Sequence, residues 1–257
     1  MTVSKGRVIV TGATRGIGRA TAEAILAHGG KVVGIGRDVQ ALTTLESAAP
    51  DRVRTIAADL ADVARVPQVA ERAIEAFGGV DGLVNCAGIV RYEPVGVIDL
   101  DSVEQQLRVN LIAPILLSQA VGEHLRGRGG SIVNVSSTLS ERVAPSTAVY
   151  AATKAALNTL TKALALELAP AGVRVNAVLP GGVETDMLRI PRLLPGETLG
   201  PAELGERARA QLTAMAALHP LGRLGTPQEV AAVIIAALDR IWQTGSLITI
   251  DGGLSIA

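Results

Sequence analysis

Val8-Ile9-Val10-Thr11-Gly12-Ala13-Thr14-Arg15-Gly16-Ile17-Gly18 runs from an apolar stretch into three closely spaced glycines. Residues 8–11 read as a buried strand, and the small residues Ala20, Ala22 and Ala24 belong to the helix that follows. A strand, a glycine-rich turn and a helix N-terminus together make an anion site. Glycine lets the backbone approach a pyrophosphate closely, while free N–H groups and the helix dipole favour negative charge. The spacing is G-x-x-x-G-x-G, which is neither G-x-G-x-x-G nor the P-loop pattern. Taken alone, the stretch also reads as a tight strand–helix turn with no ligand.

The same rhythm continues outward. Further strands are expected at residues 31–35, 53–58, 82–85, 131–136, 174–178 and 247–250. Segments of helical period lie near 16–28, 63–77, 102–125, 150–168 and 227–238. Alternating strands and helices imply crossover connections and a parallel sheet. The composition agrees. Of 257 residues, 48% are hydrophobic and only 2% aromatic, so Val, Ile, Leu and Ala must build the core, as in strands buried on both faces. The 24 basic and 24 acidic residues balance, which argues against a nucleic-acid binder with a global positive field. Mean hydropathy is +0.37. Yet the longest apolar runs, Val230 to Leu238 and Ile112 to Leu117, fall well short of the roughly 18 residues of a membrane span. No signal peptide is expected at the start. One cysteine, Cys86, excludes an internal disulfide framework, and a reduced cytoplasmic setting is the default. The three histidines, His28, His124 and His219, have no metal-ligand spacing, and no metal is expected. Residues 183–218 break the rhythm. This long segment holds Pro191, Pro195 and Pro201 and a helix-like piece near 202–215, and an insertion of this length reads as a lid.

The tip of the second strand bears on which dinucleotide the loop would take. A ribose 2′-hydroxyl wants a carboxylate there, whereas a 2′-phosphate wants a cation. The sequence offers Gly34-Ile35-Gly36-Arg37, with Arg15 as a second cation, which favours NADP over NAD. Asp38 weakens that preference, although it reads better as the N-cap of the next helix.

A second constellation opens the segment at 150. Tyr150, Lys154, Leu157, Thr161, Leu164 and Leu168 fall within roughly 40° of one direction on a helix, so tyrosine and lysine share the core-facing stripe. The bland reading is a packed tyrosine beside a snorkelling lysine. The chemical reading is a phenol acid/base whose pKa, about 10, is lowered by a nearby cation. Y-x-x-x-K is too short a pattern to separate the two.

Taken in order, the motifs resemble the short-chain dehydrogenase/reductase family over nearly the whole chain, and its beta-ketoacyl-reductase-like subgroup in particular. Residues 11–18 match its T-G-x-x-x-G-x-G, and Asp59-Leu60 resembles its adenine-contacting acidic pair. Asn85-Cys86-Ala87-Gly88 stands where the family has N-N-A-G, and Asn110 matches its helix asparagine. Ser137 precedes Tyr150-x-x-x-Lys154 at the family's spacing. Pro180-Gly181-Gly182-Val183-x-Thr185, His219-Pro220-Leu221-Gly222-Arg223 and Asp251-Gly252-Gly253 match later segments. Cys86 departs from N-N-A-G and reads as a small buried apolar residue rather than a redox thiol.

The resemblance implies an α/β fold, a single doubly wound Rossmann domain over 1–257 with a seven-stranded parallel sheet and helices on both faces. It implies an NADP(H)-dependent oxidoreductase, with NAD(H) as the lesser cofactor, interconverting a carbonyl and a secondary alcohol. Tyr150 would be the acid/base. Lys154 would tune it and hold the nicotinamide ribose, Ser137 would orient the carbonyl, and Asn110 would hold a water linking Lys154 to solvent. Ser136 is expected to point away, because strand neighbours alternate. Cofactor contacts would come from Gly12, Thr14, Arg15, Gly16, Ile17, Gly18, Arg37, Asp59, Leu60, Asn85, Ala87, Gly88, Tyr150, Lys154, Pro180, Gly181, Val183 and Thr185. The pocket would be lined by Val90, Arg91 and Tyr92, by the loop at 139–148, and by Met187, Leu188, Ile190, Leu193, Leu194 and Met215. That aliphatic surface would suit an acyl chain, an alicyclic ring or a polyketide. Arg91 and Arg142 are candidates for a carboxylate or phosphopantetheine, although each reads better as a solvated surface arginine. A homotetramer is implied, with Trp242 either an interface anchor or core packing. A nucleotide-sensing regulator without turnover, and an epimerase or dehydratase on the same scaffold, are the alternatives.

Overall fold

The computed structural model describes residues 2–193 and 197–257. Leu194 and Pro195, which the sequence assigns to the lid, lie outside the described residues. Seven strands form one parallel sheet in the order β3-β2-β1-β4-β5-β6-β7. They are β1 (Arg7–Thr11), β2 (Lys31–Gly36), β3 (Val53–Ala57), β4 (Gly82–Asn85), β5 (Gly130–Val135), β6 (Val173–Pro180) and β7 (Leu247–Ile250). Every expected strand is present within one or two residues at each end. The chain winds outward from β1 to β3, then crosses back to place β4 on the other side of β1. Loops leaving the C-terminal ends of β1 and β4 therefore diverge, and the crevice between them is where such sheets bind ligands.

Side-chain alternation along the strands divides the interior into two cores. Ile9, Val33, Leu83, Ile132 and Val175 face one side, under α3 (Val66–Glu75), α5 (Ala113–Leu125) and α6 (Ala148–Leu168). Val8, Val10, Val32, Val84 and Val133 face the other, under α1 (Gly16–Ala27), α2 (Val39–Ala48) and α9 (Pro227–Asp239). The apolar excess of the composition is spent on these two layers. No described helix is long and apolar enough to cross a membrane.

Three differences from the sequence reading have physical causes. The helical segment at 102–125 is not continuous. It consists of α4 (Leu100–Leu107), a π-helical turn (Arg108–Ile112) and α5. Pro114 has no N–H to bond the carbonyl four residues back, which is that of Asn110, and the helix widens just there. A helix over 39–48, absent from the periodic segments, is nucleated by Asp38, whose carboxylate accepts from the Ala41 N–H at 3.0 Å. Finally, β5 stops at Val135, so Ser136 and Ser137 both lie beyond the strand and alternation does not separate them.

The segment between β6 and α9 carries α7 (Asp186–Arg189) and α8 (Pro201–Ala217). No residue of α8 is buried. Gln211 fastens the described part of this segment: its Nε2 donates to the carbonyls of Leu188 (2.8 Å) and Ile190 (3.1 Å), and its Oε1 accepts from the Arg192 N–H at 3.0 Å.

Candidate active site

A cleft of about 500 Å³ opens at the C-terminal ends of β1, β4 and β5, with Val183, Thr185 to Leu188, Arg192, Met215 and Leu218 along one side. Its first wall is the glycine loop, to which Gly12, Thr14, Arg15, Gly16, Ile17 and Gly18 all contribute. The loop depends on its glycines. Gly16 has φ +53, and a Cβ at Gly18 would lie 2.2 Å from the Gly12 carbonyl oxygen. Helix α1 starts with no side-chain cap at Arg15 and no acid in its first turn, which leaves its N–H groups free for an anion. Thr11 holds the loop against β4: its Oγ1 accepts from the N–H groups of Cys86 and Ala87, both at 3.0 Å. This cradle fits a dinucleotide pyrophosphate. Motif spacing includes Thr11 but gives no hint of its staple.

Arg37, Asp59 and Leu60 line the far end of the same wall. Arg37 lies 3.7 Å from the Asp59 carboxylate, and Arg15 lies 3.7 Å from Asp186 of α7. All four side chains are half-exposed or more, so these contacts are weak and an incoming phosphate can displace them. Ala87, Gly88, Pro180, Gly181, Val183 and Thr185 also line the cleft. His219 fixes the loop after β6. Its Nε2 accepts from the Gly182 N–H at 3.0 Å and its Nδ1 lies 2.8 Å from the Met215 carbonyl, an anchoring role that its scattered position in sequence conceals.

The second wall is built by α6 and the end of β5. The stripe holds: Tyr150, Lys154, Leu157, Thr161 and Leu168 are buried. Tyr150, Ser137 and Lys154 line the cleft together, with the Ser137 hydroxyl near enough to the phenol to favour its ionised form. Ser136 also lines it, but its Oγ donates to the Lys154 carbonyl at 3.2 Å and is committed to the helix. Lys154 Nζ donates to the Val135 carbonyl at 2.8 Å and sits 5.7 Å from the centre of the Tyr150 ring.

The Tyr150 pKa is raised rather than lowered. Burial pushes the phenol up, outweighing the hydrogen bond from Ser137, with the Tyr92 and Cys86 acids pushing it further. Burial also draws the Lys154 ammonium down to about 8. Both groups follow desolvation, which penalises the charged form. Cys86 reads as inert, its thiol pushed up to about 12 by the same cause.

Asn110 and Asn85 stand behind these walls rather than on them. Asn110, in the π turn, is buried. Its Oδ1 accepts from the Ile89 N–H, and its Nδ2 donates to the Ile89 carbonyl and to Thr153 Oγ1. A Cβ at Gly88 would lie 3.5 Å from Asn110 Oδ1 and 3.6 Å from Lys154 Nζ, so the two polar groups converge behind Gly88. The Asn85 side chain turns into the core, where its Nδ2 donates to Ser118 and Asn134. Asn85, unlike Ala87 and Gly88 of the same motif, does not line the cleft.

At the end of the cleft away from the glycine loop, Val90, Tyr92, Leu139, Arg142, Met187, Leu188 and Met215 line it as expected. Ile190 and Leu193 are exposed instead, and Arg91 bonds Gln105 at the surface, as its reading as a solvated arginine anticipates. Arg192, which the sequence does not single out, lines the cleft. Trp242 is 99% exposed, so core packing under β7 is excluded.

With this geometry in view, the fold and site define a dinucleotide-binding α/β oxidoreductase scaffold. The short chain dehydrogenase family model matches residues 6–192, and the chain belongs to the short-chain dehydrogenase/reductase family. It is 38% identical to human L-xylulose reductase, covering 96% of this chain and 95% of that one. It is 36% identical to the 3-oxoacyl-acyl-carrier-protein reductase FabG of Thermotoga maritima, covering 98% and 99%. A solved Beutenbergia cavernae protein, designated a candidate NAD(P)-dependent gluconate 5-dehydrogenase and holding NADP at low occupancy, superposes with a TM-score of 0.85 at 31% identity. That match covers 98% of this chain and 97% of the other.

Proposed function

We propose that this chain is an NADP(H)-dependent oxidoreductase that interconverts a ketone and a secondary alcohol. The observation that carries the reading is a buried phenol, Tyr150, beside Ser137 and Lys154 in the same cleft as the uncapped glycine loop. Residues 12–18 would hold the pyrophosphate, and Arg15 and Arg37 would favour a 2′-phosphate. When bound, the nicotinamide supplies or accepts the hydride. In reduction, Tyr150 gives its proton to the substrate oxygen as the carbonyl carbon becomes an alcohol carbon. Burial that keeps the phenol protonated suits that direction. Ser137 donates to the oxygen as negative charge develops there. Lys154, charged below a pH of about 8, stabilises the phenolate left behind and holds the ribose. Asn110, fixed by Ile89 and Thr153, secures the wall behind Lys154, the position from which it would hold a relay water. The 183–218 segment acts as the lid. A cytoplasmic homotetramer with Trp242 at a subunit contact accords with the exposed indole.

Tyr150→Phe tests the reading. It should lower kcat by at least about 10²-fold while cofactor affinity stays within threefold of wild type. Near-wild-type turnover in that variant would remove Tyr150 from the chemistry.

A further inference from the structure

Arg192 is placed oddly for a solvated arginine. Its guanidinium lies over the Tyr92 ring, 3.9 Å from the centroid, at the substrate end of the cleft. Its Nε is buried and has no hydrogen-bond partner. A buried donor left unpaired is costly, and stacking leaves the edge of the guanidinium free to meet an acceptor in the ring plane. Among the described residues no carboxylate pairs with it. The acids that line the cleft belong to the glycine-loop end. Asp38 caps α2, Asp59 faces Arg37, and Asp186 faces Arg15. Glu93, next to Tyr92 in sequence, does not line the cleft.

The position is held from two sides. Gln211 of α8 accepts from the Arg192 backbone N–H, and Arg207 donates to its carbonyl at 3.4 Å. Tyr92 lines the same cleft as Tyr150. Arg142 adds a second cation to the lining, and Leu188, Met215 and Leu218 supply the apolar surface between. A cationic fork, an unpaired inner N–H and an aliphatic wall suit an anionic group joined to a short apolar chain.

We propose that Arg192, stacked on Tyr92, is a specificity-determining residue that binds a carboxylate on the substrate, so that the preferred substrate is a keto acid or its hydroxy acid rather than a neutral polyol. The proposal rests on the oxidoreductase reading. A bidentate guanidinium–carboxylate pair would fix the far end of the substrate, leaving the carbonyl near the Tyr150 hydroxyl.

The test compares levulinate and its longer homologues with the methyl ketones in which a methyl group replaces the carboxylate, such as methyl propyl ketone, using NADPH and wild type, Arg192→Met and Arg192→Lys. The wild type should prefer the acid. Arg192→Met should raise KM for the acid by about 10- to 100-fold, the effect of losing charged hydrogen bonds. It should leave kcat/KM for the neutral ketone within threefold, and Arg192→Lys should recover part of the loss. Equal losses on both substrates, or no preference for the acid in the wild type, would overturn the proposal. A second arm is independent of turnover. Levulinate and its homologues are titrated calorimetrically into protein loaded with oxidised NADP. If no ketone is reduced, the oxidoreductase reading fails by itself; binding that is lost in Arg192→Met then still supports the carboxylate site, and no binding to the wild type overturns it.

Discussion

The two ends of the cleft are made differently. The glycine-loop end is a backbone structure at the centre of the sheet, held by main-chain hydrogen bonds, Thr11 and close approaches that only glycine permits. The other end is a side-chain structure bordered by the segment between β6 and α9, whose longest described helix buries no residue. The first end has almost no freedom to vary, whereas the second can change its lining at little cost to the fold. Under the proposed function, a general chemistry is thus paired with a replaceable specificity surface.

Substitutions of glycine by alanine give the sharpest contrast. Gly18→Ala places a methyl 2.2 Å from the Gly12 carbonyl. It should destabilise the chain by about 1–3 kcal/mol and weaken cofactor binding by at least tenfold, read by thermal melting and cofactor titration. An intact loop with unchanged affinity would mean that the two ends do not differ in this way.

Arg37→Ala probes the same end through charge. NADPH should lose about tenfold in affinity, as expected for a charged hydrogen bond, and NADH far less. Equal losses would remove the argument for a 2′-phosphate site.

Lys154 links the cleft to pH. Burial holds its pKa at about 8 in the folded chain, against an ordinary 10.5. Between those values the unfolded chain binds more protons than the folded one, so this residue makes stability rise with pH from about 8 towards 10.5. Melting temperatures of wild type and Lys154→Met, taken between pH 7 and 10, should show a smaller rise in the variant. Parallel curves would place the lysine in a better-solvated site.

The smallest effect is expected in the insertion. Gly205 lies within α8, and a Cβ there meets nothing within 4 Å. Gly205→Ala should stabilise this helix by about 0.5–1 kcal/mol with little change in cofactor affinity. The same chemical change would then have opposite signs at the two ends of the molecule.

How far the sequence is legible follows the same division. Seven strands could be read because buried parallel strands leave short apolar runs between punctuating glycines. The loop at 12–18 could be read because its backbone demands glycine at fixed positions. The break at Asn110 is legible only through Pro114, whose missing N–H acts four residues earlier. Asn85 is harder to read: from a strand tip its Nδ2 turns inward to Ser118 and Asn134, which no motif spacing reveals. Nothing in the neighbours of Arg192 reveals that it stacks on Tyr92, a hundred residues away. The rise of the Tyr150 pKa comes from burial, which residue spacing does not record.

The most direct test of the account is to mix the purified protein with NADPH or NADH and a panel of ketones and keto acids, following cofactor oxidation and alcohol formation together. The account predicts that NADPH is consumed in step with alcohol, faster than NADH at equal concentration. Tight NADPH binding with no oxidation across the panel, and none in the reverse direction with the alcohols, would contradict it.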